Sequence, residues 1–266
     1  MENKSPQLSW AIKTAYAAGK ILDEYFETDI LKEYKSDDSP VTRADRESEE
    51  LIKKMLSEQF PEYSFFGEEF GMMGEKGDYV WHVDPIDGTK NFSNGIPIFA
   101  VSIALEYKGE IIVGVIYNPV TDSMYYAEKN KGAYLNEKKI VVSKDDAMHG
   151  IMDVSRGKKE FDEKLFKELM YIFPRNIIKS SRDFGCAALD LAFLSRGAIE
   201  VNLSSGLSTY DFAAGVILVQ EAGGKITTFD GKPWIFPDNQ FVASNGVFHD
   251  VLVEEVKKQK EKLNIK

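Results

Sequence analysis

Asp84-Pro85-Ile86-Asp87-Gly88-Thr89, with Lys90-Asn91-Phe92 behind it, is the stretch on which the reading of this chain turns. An apolar run, Tyr79-Val80-Trp81-His82-Val83, precedes it and reads as a buried strand ending where the acids begin. Pro85 would break a helix, so the acids belong to a strand-to-turn junction, with a helix expected to open at Gly88-Thr89. Two carboxylates around such a turn can converge on one cation. Backbone N–H groups at a helix start attract an anion, and the helix dipole adds to that attraction. Hard oxygen donors beside anion-binding amides suit Mg²⁺ and a phosphate together, because Mg²⁺ takes a few carboxylates plus phosphate oxygens. A plain solvated Asp-Gly turn is the competing reading. It leaves the second acid, Thr89 and the companion motifs unexplained.

The 266 residues suffice for one large domain or two closely packed ones, and 43% hydrophobic with 29% charged residues is a soluble globular composition. A net charge of −10 argues against sequence-independent binding of nucleic acid through a basic surface. A single cysteine, Cys186, allows no intrachain disulfide and points to a reducing compartment, with the thiol as a packing residue. No apolar run is long enough to span a membrane, and the N-terminus has no signal-peptide core, so a cytoplasmic protein is expected.

Outward from the motif, Leu8 to Phe26 carries an apolar face at helical spacing, with Ser5 as its cap and Pro6 in its first turn. Residues 36–40 read as a loop. Thr42 then caps a second helix, with Asp45 at a capping-box position and the helix running to about Gln59. Ser64-Phe65-Phe66 leads into the acidic corner Gly67-Glu68-Glu69, and residues 71–77 read as a polar loop. Adjacent acids at a turn either face water or share a cation. Downstream, strand-like runs from Phe99 to Val142 form an antiparallel set, and the polar run from Ser143 to His149 is the expected boundary between subdomains 1–146 and 147–266. The second half reads as alternating strands and helices. It includes a helix over Ala187–Leu194, a strand over Ala198–Leu203, and a loop from Ser204 to Thr209 followed by a helix whose apolar face begins at Phe212.

Asp45, Gly67-Glu68-Glu69, Asp84-Pro85-Ile86-Asp87-Gly88-Thr89 and Asp211-Phe212-Ala213-Ala214-Gly215, in this order and spacing, resemble the inositol monophosphatase family over almost the whole chain. That family belongs to the magnesium-dependent, lithium-sensitive phosphatase superfamily that includes the fructose-1,6-bisphosphatases. The resemblance implies an α/β layered sandwich (αβαβα), two mixed or antiparallel sheets with helices between and outside them. It implies two or three Mg²⁺ per site. Glu68, Asp84 and the backbone oxygen of Ile86 would hold the first ion; Asp84, Asp87 and Asp211 the second. Glu68 and the loop around Lys35 would border a third. Thr89, Asp45 and Glu68 would activate the attacking water, and the amides of Gly88 and Thr89 would take phosphate oxygens. Asp87, Ala187, Arg182, Ser204 and Asp211 are the further candidate substrate contacts, with Ser155 near the pocket wall.

The implied reaction is direct attack of a metal-activated water on a small sugar or polyol phosphate, foremost inositol 1-phosphate, by a cytoplasmic homodimer that binds neither nucleic acid nor membrane. Two metals sharing Asp84 fit that chemistry, and three histidines with no Ser/His/Asp system leave little room for a covalent phosphoenzyme. Tyr210 stands where many members have Trp. Ser204 stands where inositol-specific members have a Glu that grips the polyol hydroxyls. The alternatives therefore stay open: fructose 1,6-bisphosphate, with Arg156, Lys158 and Lys159 near a second phosphate; histidinol phosphate, suggested by Ser244-Asn245-Gly246 and His249-Asp250; and 3′-phosphoadenosine 5′-phosphate. A catalytically silent binding subunit is the alternative from another class, and the complete set of acids weighs against it.

Overall fold

The computed structural model describes residues 4–28, 33–34, 40–157 and 159–263. Residues 36–39 of the expected loop at 36–40, Lys35 and Lys158 lie outside them, and Pro40 begins a short strand. The first half of the chain runs α1 (Pro6–Tyr25), β1 (Glu33–Tyr34), β2 (Pro40–Val41), α2 (Arg43–Gln59), β3 (Ser64–Gly67), β4 (Gly71–Met73), β5 (Tyr79–Asp87) and α3 (Thr89–Phe92). A meander of β6 (Ala100–Tyr107), β7 (Glu110–Asn118), β8 (Ser123–Glu128), β9 (Gly132–Leu135) and β10 (Lys138–Ile140) follows. The second half runs β11 (Ile151–Arg156), α4 (Glu160–Asn176), β12 (Ser180–Arg182), α5 (Ala187–Ser195), β13 (Val201–Ser205), α6 (Thr209–Glu221), β14 (Lys225–Thr228), β15 (Gln240–Ser244) and α7 (His249–Lys262).

Eight strands make one sheet in the order β10-β9-β8-β7-β6-β5-β3-β4, antiparallel except for the parallel pair β3–β5. Five make a second, β12-β11-β13-β15-β14, in which β11 runs parallel to both its neighbours. Helices α1 and α2 cover the outer face of the large sheet, α5 and α6 lie between the sheets, and α4 and α7 cover the outer face of the small one. This is the layered αβαβα sandwich expected from the sequence, with one apolar core for each helix layer. Among the described residues no helix is long and apolar enough to cross a membrane.

The patterning explains the layers. The outer helix α1 buries a stripe, Leu8, Ala11, Ala15, Ala18 and Leu22, and starts at Ser5, whose hydroxyl accepts the Leu8 N–H at 3.1 Å. The middle helices have no such stripe because both sides are covered: every residue of α6 from Phe212 to Val219 is buried. Their close approach depends on glycine. A Cβ on Gly215 would lie 2.4 Å from Leu191 Cβ of α5, and one on Gly114 of β7 would lie 2.6 Å from the Ala214 carbonyl of α6.

Several boundaries differ from the expectation. Residues 71–73 form the short edge strand β4 rather than part of a loop, and β12 is a strand that the polar residues of Ser180–Arg182 do not announce. Strand β13 lies a few residues beyond the expected Ala198–Leu203. Helix α6 begins at Thr209, not Phe212, because Ser208 and Asp211 form a capping box ahead of the apolar run. Strand β5 does not stop at Val83; it runs through both aspartates.

Candidate active site

The continuation of β5 is possible because the strand bulges. Against β6, Asp84 pairs with Ser102 and Asp87 with Ala100, so one extra residue is accommodated between them. Pro85 sits in that bulge, where no ladder donor is needed. Asp84 Oδ1 accepts the Ile86 N–H at 2.9 Å and closes the loop of backbone from inside. Gly88, at φ 90°, then turns the chain out of the sheet; a Cβ there would meet the Ile98 carbonyl at 2.8 Å. The helix that follows is only four residues long, so its summed dipole is small, and an anion here would rest mainly on the individual amides of the turn.

Asp45 reaches this turn from α2. Its carboxylate accepts from Thr42 N at 2.7 Å and Thr42 Oγ1 at 2.6 Å. Thr89 Oγ1 donates to the Ile86 carbonyl at 3.0 Å and lies 3.4 Å from Asp45 Oδ1, so the expected Thr89–Asp45 contact is present but long. Burial pushes the Asp45 carboxyl up to about 7, with Glu68 and Glu69 adding to the rise, while the two bonds from Thr42 oppose it.

The acidic corner is held from α2 by Glu49. Glu49 of α2 is fully buried and accepts the backbone N–H groups of Glu69 (2.8 Å) and Phe70 (3.0 Å). Gly67 leaves room for it, since a Cβ there would collide with the Glu49 carboxylate at 2.0 Å. In sequence Glu49 is one of several acids on a charged helix, and only the fold separates it from the solvated ones.

The last two helices close the site from the other side. At the start of α5, Asp87 Oδ2 accepts the Ala188 N–H at 2.5 Å and faces the Cys186 thiol at 3.3 Å. Asp211 lies in the first turn of α6, where its Oδ2 accepts the Ser208 N–H at 2.7 Å. Asp84 is buried, and its carboxyl lies within hydrogen-bonding reach of Glu68 and Asp211. Burial first, and then the facing Glu68, Asp87 and Asp211, drive Asp84 well above the usual carboxylate range. Asp211 is raised likewise, by burial and then by Asp87 and Glu68; Asp87 stands at about 7, with burial the main cause. Asp87 and Asp211 keep part of their surface open to the cleft.

Among the described residues, no Lys or Arg pairs with Asp84, Asp87 or Asp211, and no three acids already meet at one ligand point. The donor set itself, four hard carboxylates crowded together without a cationic partner for these three, fits a divalent cation.

A cleft of about 460 Å³ opens over this cluster, lined by Glu68, Asp87, Gly88, Thr89, Ala187 and Asp211, with Ser155, Arg156, Asp183 and Asp190 among the residues that extend it. Arg182 and Ser204 are not among its lining residues. Arg182 is exposed on β12, where its guanidinium donates to the Ser181 carbonyl at 2.8 Å. Ser204 is fully buried, its hydroxyl donating to Asn202 Oδ1 at 2.7 Å. That bond joins a polar network under the cleft: Asn202 Nδ2 donates to Ser155 Oγ (2.8 Å), which donates to Asp190 Oδ2 (2.8 Å). Asp190 in turn contacts Asp153. Burial and that neighbour hold Asp190 well above the usual range. Neither Asp153 nor Asp190 sits in a sequence motif that marks it as part of the site. His249 is also remote from the cleft, buried between Thr227 Oγ1 (2.9 Å) and Ser244 Oγ (2.7 Å).

The sequence model of the inositol monophosphatase family matches residues 3–261. The chain belongs to the inositol monophosphatase family. Membership makes it a phosphoric monoester hydrolase by class. Inositol-1-monophosphatase of Mesorhizobium japonicum is 37% identical over 262 residues, which cover 96% of this chain and 97% of the relative. The fructose-1,6-bisphosphatase/inositol-1-monophosphatase of Aquifex aeolicus is 34% identical, covering 98% and 99%. Among solved structures, inositol monophosphatase from Anabaena superposes with a TM-score of 0.84 at 32% identity, covering 95% of each chain.

Proposed function

We propose that this family member is a Mg²⁺-dependent phosphomonoesterase acting on inositol 1-phosphate, as a lithium-sensitive cytoplasmic homodimer with two or three Mg²⁺ per site. The observation that carries the reading is the gathering of Glu68, Asp87 and Asp211, with Asp84 buried behind them, beside Gly88 and Thr89 in the lining of a cleft sized for a sugar phosphate. Glu68, Asp84 and the Ile86 carbonyl would hold one Mg²⁺, and Asp84, Asp87 and Asp211 the other. The ions, when bound, neutralise phosphoryl charge and acidify water.

The chain's own groups supply the rest. The Gly88 and Thr89 amides orient the phosphate. Thr89 is kept in place by its bond to the Ile86 carbonyl. Asp45, raised to about 7, is suited to hold the proton released by the attacking water at neutral pH, with Thr89 between them and Glu68 alongside. Ala187, at the lip of α5, borders the leaving group. We place the boundary between the two subdomains at 146/147, with the site drawing residues from both.

A bisphosphate sugar is the second reading. Arg156 lines the far end of the cleft, and its pairing with Glu163 is long, at 3.9 Å, which leaves it able to meet a second phosphate. Phosphate release with Mg²⁺ from inositol 1-phosphate, fructose 1,6-bisphosphate, histidinol phosphate and 3′-phosphoadenosine 5′-phosphate tests both. Preference for inositol 1-phosphate is the expected result. Preference for the bisphosphate moves the assignment to the second reading, and release from none overturns both.

A further inference from the structure

His82 lies in the middle of β5, two residues before Asp84, so the two side chains share a face of the sheet. It is 4% exposed, and both ring nitrogens are engaged. Nδ1 is 2.8 Å from Thr209 Oγ1, and Nε2 is 3.0 Å from Glu106 Oε2 on β6. Glu106 is itself fixed, its other oxygen 3.1 Å from Lys76 Nζ and 3.2 Å from the Gly109 N–H. The rings of Phe66 and Phe236 stand edge-on to the imidazole at 5.7 and 5.4 Å. Glu106, Phe66 and Phe236 thus fix the ring, and Nδ1 is turned to the start of α6.

Thr209 is the first residue of α6, and Asp211 is the third. Two further contacts fasten the same turn to the large sheet: Ser102 Oγ of β6 donates to the Tyr210 carbonyl at 3.1 Å, and the Tyr210 ring lies 5.5 Å from Phe66 of β3. Side-chain hydrogen bonds to β5 and β6 therefore fix where the α6 terminus sits relative to Asp84. An apolar side chain could fill the space of His82 as well, but it could not set that separation, because dispersion contacts are non-directional whereas a hydrogen bond fixes distance and angle.

We infer that His82 and Thr209 are positioning residues that hold Asp211 at the distance from Asp84 required for both to bind one divalent cation. The inference rests on the proposed reading of Asp84 and Asp211 as ligands of a shared ion.

The test is calorimetric titration of the substrate-free full-length protein with Mg²⁺, with a thermal melt of each variant alongside. Thr209→Val keeps the shape and removes the hydroxyl; Thr209→Ser keeps the hydroxyl. Thr209→Val should weaken Mg²⁺ binding roughly three- to tenfold, the loss of one directed hydrogen bond. Thr209→Ser should restore it to within about twofold of wild type. His82→Asn combined with Thr209→Val should weaken binding less than the product of the two single effects, as expected for partners in one bond. Wild-type Mg²⁺ affinity in Thr209→Val, whatever its melting temperature, overturns the inference and leaves the ligand assignment standing. A wild-type protein that takes up no Mg²⁺ overturns the ligand assignment and the inference with it.

Discussion

Asp87 is asked to do more than any other side chain in the cleft. It accepts from the Ala188 N–H at the start of α5 while presenting its carboxylate to Asp84 and Asp211. Asp87→Asn preserves shape and one acceptor oxygen but removes the charge. Turnover should fall by well over a hundredfold, more than the 10- to 100-fold typical of changes behind a ligand, with the fold intact by circular dichroism. Activity near wild type would remove Asp87 from the ligand set. His249 gives a prediction away from the site. Burial, aided by Lys225, pushes its imidazole down from 6.5 to about 4, so between those values the unfolded chain holds a proton that the native chain does not. Stability should therefore fall as the pH drops from 6.5 towards 4. His249→Gln should lose less over the same interval when both are unfolded with denaturant at a series of pH values; parallel curves would refute the assignment.

At the scale of single elements, the bulge in β5, the acidic corner after β3 and the first turn of α6 each place one or two carboxylates. The corner depends on Glu49, which satisfies two backbone donors at once. Glu49→Gln keeps one acceptor and sets an NH₂ against a backbone N–H, which should cost about 1–3 kcal/mol in denaturant unfolding. A change below a few tenths would mean that the corner holds itself. These elements were unequally legible in the sequence. Asp84 to Thr89 announced a turn with two acids, because Pro and Gly restrict the backbone whatever surrounds them. That β5 continues through Asp87 was not legible, since a bulge is decided by the partner strand. Ser208 and Asp211 already spelled a capping box; the apolar residues from Phe212 onward drew the helix start too late. The buried positions of Glu49, Asp190 and Ser204 had no local signature at all, because each is polar and only the packing of distant segments takes it out of water.

Across the whole molecule, the two halves are joined by more than their cleft. Helix α6 of the second half packs on β5, β6, β7 and β8 of the first, and α5 and α6 share one apolar core with residues of both sheets. A boundary near residue 146 therefore divides the chain without separating two cores. Residues 1–146 produced alone should not give a stably folded domain, and the full chain should unfold in a single transition seen alike by fluorescence and circular dichroism. A soluble, cooperatively folding fragment would show that the halves are independent. The layered architecture was legible only through the family resemblance that the motifs carry, and the sharing of α6 between the sheets, which buries every residue from Phe212 to Val219, was not legible from its apolar face alone.

Sharing α6 also has a consequence in time. The sequence of all eight strands of the large sheet is complete once residue 140 has been synthesised, but the helix that covers Ala104, Ile116 and Tyr125 is not complete until Glu221. At 5–20 residues per second the ribosome needs about 4–16 s to supply it. Throughout that interval the nascent chain carries the strand segments of the large sheet without the helix that buries their apolar side chains, and an acid set lacking its last member. The newborn enzyme is thus sticky before it is active, and the same event, the docking of α6, ends both conditions.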